Sequence, residues 1–97
     1  MNKNDVLEAV KSVYGDTRNT VIRTFDDKNK YKNKYISATK LGTIVEMFVS
    51  YMMNYFDCID GECDYSTHHT KYDITFDYFK DWLNNPNCEI LLEALNK

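Results

Sequence analysis

The chain has 97 residues, 43% of them hydrophobic and 14% aromatic; this is enough material for one core and too little to divide into two, so a single domain over residues 1–97 is expected and a multidomain enzyme is excluded. Its formal net charge of -3 hides an imbalance, since residues up to Phe56 hold nine basic and six acidic side chains and those after it three basic and nine acidic, an opposition that points to an interaction surface. The longest strongly apolar stretch, Ile44 to Phe56, is about 13 residues long and broken by Glu46, Ser50 and Asn54, against about 20 for a bilayer span, so no transmembrane helix is expected.

Val6, Leu7, Val10, Val13 and Tyr14 recur at helical spacing. With Asn4 as cap and Gly15 suited to the position after the last turn, they predict a helix over 5–14. This amphipathic opening does not read as a signal peptide, so a cytoplasmic protein is expected. Thr20 to Phe25 is β-branched and aromatic, Asp26 to Asn33 is polar, and Tyr35-Ile36-Ser37 is a second short extended run; together they read as a β-hairpin with a long loop. Lys28, Lys30, Lys32 and Lys34 alternate with Asn29, Tyr31, Asn33 and Tyr35, which in an extended chain puts lysines along one face and protects an edge.

Leu41, Ile44, Val45, Phe48, Val49, Met52, Tyr55 and Phe56 define a long central helix, with Thr39 as its cap. Met47, Tyr51 and Met53 widen its apolar character beyond one stripe. Either they pack between a sheet and the C-terminal helices, or they form a partner surface. Residues 57–71 read as a long polar connection. Ile74, Tyr78, Phe79, Trp82 and Leu83 then predict a short helix capped by Asp73 or Thr75, and Asn85-Pro86 opens another carrying Ile90, Leu91, Ala94 and Leu95. The expected fold is α+β: an N-terminal helix, a short antiparallel sheet made by the hairpin, a long central helix and one or two C-terminal helices.

Three cysteines are an odd count and argue against a disulfide framework. Cys58, Cys63, His68 and Cys88 supply enough soft ligands for a tetrahedral zinc site, although two short knuckles are lacking; buried or loop thiols explain the same residues, and no metal or other cofactor is assigned. No base is placed against a nucleophile and no Gly-rich phosphate loop is present, so the chain is not expected to be an enzyme. The lysine run with Tyr31 and Tyr35 could contact phosphates and bases, but a sequence pI near 5.2 argues against direct nucleic-acid binding. What remains is acidic: Asp57, Asp60, Glu62 and Asp64 crowd four carboxylates into eight residues with Tyr65 beside them. Such a cluster is either a solvated loop or a group that enters a basic cleft in place of a phosphate strand.

Met1-Asn2 and Asn4-Asp5 opening an amphipathic helix, Tyr35-Ile36-Ser37, Ile44-Val45-Glu46 with Phe48-Val49-Ser50, Tyr55-Phe56, the acidic stretch and Asp73-Ile74-Thr75-Phe76 together resemble the small phage-borne type II-A anti-CRISPR proteins. The resemblance implies an α+β inhibitor that binds a guide-loaded type II CRISPR nuclease and covers the basic site where protospacer-adjacent DNA is read. Carried over residue by residue, it makes Asp57, Asp60, Glu62 and Asp64 of the loop and Asp26 and Asp27 of the hairpin the partner-binding residues of a DNA mimic, to which the acidic run itself adds Tyr65 as an aromatic anchor. The partner is then a protein, with no membrane contact, and the inhibitor a monomer or small homo-oligomer. An alternative is a divergent elongin C or SKP-type BTB adaptor, which Phe79 and the closing run from Glu89 to Asn96 resemble. A zinc-stabilised binding domain is a third.

Overall fold

A reciprocal cap starts the first helix. The Asn2 side chain accepts from the Asp5 N–H at 2.9 Å and the Asp5 carboxylate accepts from the Asn2 N–H at 3.3 Å, which satisfies two otherwise orphaned donors. Helix α1 (Lys3–Tyr14) therefore begins two residues before the start expected from Asn4. In this computed structural model the chain is described over residues 2–23, 28–60 and 74–96, the side chains of 28, 29 and 55–60 excepted. Val6, Ala9 and Val10 are the buried face of α1. It ends at Gly15, whose φ of 108° is rare for any residue with a Cβ.

The expected hairpin is not formed, and no strand occurs among the described residues. Val21 instead makes an isolated antiparallel bridge with Thr75, held by Ile22 N–H to the Ile74 carbonyl at 2.8 Å and Phe76 N–H to the Thr20 carbonyl at 2.9 Å. The described part of the β-branched run thus finds a partner for one short contact far along the chain and, among the described residues, none next to it. Where the second arm was expected, Asn33 closes a turn: its Oδ1 accepts from the N–H groups of Tyr35 and Ile36 at 2.9 and 3.0 Å, and its amide donates to the Tyr31 carbonyl at 2.7 Å. Those donors need no ladder once a side chain holds them. Lys28–Tyr31, expected in the loop between the arms as extended chain, is a 3-10 turn, and it buries Tyr31 while Lys30, Lys32 and Lys34 stay exposed. The α+β expectation is thereby corrected: the described residues form a small all-helical domain of four helices, which also removes the sheet that the family resemblance implied.

Helix α2 (Ala38–Asp60) has 23 residues, about 35 Å at the α-helical rise, matching the 37 Å long axis of the molecule. Ser37 caps it, not Thr39: Ser37 Oγ accepts from the Lys40 N–H at 3.2 Å, and Thr39 is already the second residue of the helix. Leu41, Ile44, Val45, Phe48, Val49 and Met52 form its buried stripe, as the spacing predicts. Helix α3 (Phe76–Leu83) follows the bridge and buries Phe76, Phe79, Trp82 and Leu83. Helix α4 (Pro86–Leu95) opens as its sequence predicts, with Asn85 accepting from the Asn87 N–H at 3.0 Å and Pro86 at the first position. It buries Cys88 and Leu92 and half-buries Leu91 and Leu95, whereas Ile90 is exposed.

Aromatic rings join α2 to α3. Phe48 meets Phe79 edge-on at 5.1 Å and Trp82 at 5.5 Å, and Phe79 lies 5.8 Å from Trp82, separations at which ring pairs add about 0.5–1.5 kcal/mol each beyond the area they bury. The end of α1 is tied in by the Tyr14 hydroxyl, which donates to the Arg23 carbonyl. None of the helices described is long and apolar enough to cross a membrane.

Candidate functional site

The rings that build the core also shape its edge. On α2 and α3 a residue three positions after a core-facing one lies about 60° round the helix from it. Tyr51 follows Phe48 by three and Trp82 follows Phe79 by three, so both rings stand at the rim where the helices meet. Tyr51 is 45% exposed and Tyr78 40%, while Trp82 is 7% exposed. With Met52, Asp81 and Asn85 they line a cavity of about 200 Å³. Tyr51 and Trp82 also wall a wider trough toward α4, completed by Thr43, Glu46, Met47, Ser50 and Leu91.

The charge of this face has one sign. Asp81 and Glu46 line the two depressions, and no Lys or Arg lines either among the described residues. Of the other described acids, Asp77 pairs with Arg18 at 3.1 Å, Glu89 with Lys3 at 3.3 Å and Glu8 with Lys11 at 3.5 Å, and Asp5 sits in the α1 cap, whereas Asp16 and Glu93 make no ion pair among the described residues. Asp81 and Glu46 make no ion pair among the described residues. The arrangement suits a cation, offering ring faces beside carboxylates with no competing positive charge.

Cys88 lies apart from this face, on the buried side of α4. Burial pushes its thiol above the ordinary range, and the Lys3 ammonium offsets part of that rise. A thiol so held is a small apolar core group. Its proposed zinc partners Cys63 and His68 lie outside the described residues and Cys58 outside the described side chains; among the described residues no three His, Cys, Asp or Glu groups come together to hold a metal.

The partner-binding residues expected from the sequence fall at the limits of the description. Asp57 and Asp60 are in the last turn of α2, their side chains not described, while Glu62, Asp64, Tyr65, Asp26 and Asp27 lie outside the described residues. Tyr78, Trp82 and Asp81 were not among the expected site residues. Tyr51 was legible as a ring outside the apolar stripe of α2 and is 45% exposed; Trp82 looks like core in sequence because it is largely core, whereas Tyr78, at the same core spacing, is exposed. Comparison of the chain with protein-family models, curated proteins and solved structures finds no match.

Proposed function

We propose that the chain is a protein-binding inhibitor without enzymatic activity that docks its acidic, aromatic second half on a basic surface of a partner, and that the partner is a guide-loaded type II CRISPR nuclease in the cytoplasm of a phage-infected cell. The observation that carries the reading is the edge between α2, α3 and α4, where exposed rings are flanked only by Asp81 and Glu46 and not by any described cation. The sequence adds charge of the same sign: nine acidic and three basic residues follow Phe56, among them Asp57, Asp60, Glu62 and Asp64 within eight positions. Carboxylates at this density occupy a cleft built for phosphates, and arginines that read DNA in the major groove then lose access to it. The reading rests on surface charge and rings, since the α+β scaffold implied by the family resemblance is not the scaffold found.

Asp60→Lys combined with Glu62→Lys tests it. Binding to a reconstituted guide-loaded nuclease is lost while the thermal melt is unchanged, and binding by the parent chain weakens with added salt as screening predicts. Undiminished inhibition by the doubly substituted chain refutes the docking surface.

A further inference from the structure

The cavity between α2 and α3 has a size, a lining and a charge that together select one kind of occupant. At about 200 Å³ it falls below the roughly 300 Å³ at which small-molecule sites begin, which suits a single side chain. Its walls are the rings of Tyr51, Tyr78 and Trp82, and Asp81 sits at its rim without an ion pair among the described residues. We propose that this cavity is the seat of an arginine side chain supplied by a basic segment of a protein partner.

Arginine fits better than lysine for two reasons. Its flat guanidinium stacks on an aromatic face and sheds water more readily than an ammonium, and its forked donors engage a carboxylate with two hydrogen bonds. Tyr51, Tyr78 and Trp82 give it ring faces, and Asp81 gives it the carboxylate. Asn85 offers less, because its Oδ1 already accepts from the Asn87 N–H at 3.0 Å. The trough beyond Tyr51, lined in part by Met47, Leu91 and Glu46, shares Tyr51 and Trp82 with the cavity and gives the flanking residues of the segment a partly apolar track of the same charge sign. The inference rests on the proposed function in one respect, that the partner is a basic protein.

Trp82 is the only tryptophan in the chain, so its fluorescence reports the cavity directly. The probes are a short Gly/Ser peptide with one central arginine, its lysine and citrulline counterparts, and tetramethylammonium chloride. The arginine peptide should change Trp82 emission saturably, the lysine peptide should bind about threefold to fivefold more weakly, and the uncharged citrulline peptide should not bind. Asp81→Asn and Tyr51→Ala should each weaken arginine binding by about threefold to fivefold while the chain stays folded by circular dichroism, because both side chains are exposed. Equal response to arginine and citrulline overturns the proposal, as do variants that bind like the parent. Tighter binding of tetramethylammonium than of the arginine peptide also overturns it, since the cavity would then be a cage for a free ammonium ligand. No nuclease is in the cuvette, so an arginine response with no nuclease binding removes the nuclease and leaves the cavity assignment standing. Nuclease binding undiminished by Asp81→Asn with Tyr51→Ala removes the cavity as anchor, and the inhibitor reading then rests on the outcome of Asp60→Lys with Glu62→Lys.

Discussion

Phe48→Ala tests how the helices are held together and how the cavity floor is supported. Phe48 is fully buried and contacts Phe79 at 5.1 Å and Trp82 at 5.5 Å, so no solvent can fill the space its ring leaves without crossing the α2–α3 seam. Truncation of a sealed phenylalanine costs about 3–5 kcal/mol, of which the two ring pairs account for about 0.5–1.5 kcal/mol each. A domain of 97 residues holds about 5–14 kcal/mol in all, so the variant keeps only part of its stability and melts about 15–30 °C lower. Urea unfolding followed by Trp82 fluorescence and by far-ultraviolet circular dichroism measures the loss. Phe48→Leu, which refills most of the volume, should cost less than half as much, and a cycle with Phe79→Ala should return a coupling of about 0.5–1.5 kcal/mol. A loss below about 1.5 kcal/mol for Phe48→Ala would show that the ring is not the seam described.

Two glycines should respond with opposite sign. Gly42 lies inside α2, and a Cβ there meets the Tyr31 ring at an ordinary 3.7 Å, so Gly42→Ala should stabilise by about 0.5–1 kcal/mol through helix propensity; Gly15 has φ 108°, so Gly15→Ala should destabilise by about 1–2 kcal/mol, both read by urea unfolding. Asn2→Ala removes the acceptor of the α1 capping box and should cost about 0.5–2 kcal/mol, measurable as a lower melting temperature. For Cys88, burial raises the thiol above its ordinary value of 9.0, so the folded chain holds the proton more tightly than the unfolded one. The resulting stability is fully present below that value and is lost as pH climbs through the folded value. Unfolding free energy measured across alkaline pH should therefore fall less steeply in Cys88→Ala than in the parent.

Helices were easier to read in the sequence than the connections between them. The stripe Leu41 to Met52 and the pair Asn85-Pro86 carry their signals in neighbouring residues, and the structure keeps them. Both caps moved by two positions, because Asn2 and Asn4, and Ser37 and Thr39, compete for the same role. For α1 the deciding signal was in plain view: Asn2 has an acidic residue three places on and Asn4 has Leu7. The hairpin misled because β-branched composition states a preference without naming a partner. Val21 bridges to Thr75, a residue 54 positions away, and Asn33 satisfies backbone donors that a second strand would otherwise have had to pair. The groove was half legible, since Tyr51 breaks the stripe of its helix, whereas the pairing of Tyr51 with Trp82 across two helices exists only in three dimensions.

The docking claim reduces to whether this chain and target DNA compete for one surface. The measurement is displacement of a labelled DNA duplex, carrying the protospacer-adjacent sequence, from the guide-loaded nuclease by increasing amounts of this chain at fixed salt. Full displacement, weakened by Asp60→Lys with Glu62→Lys and by added salt, is the expected result. Retention of the DNA at saturating chain, or no association of the chain with the nuclease, contradicts it.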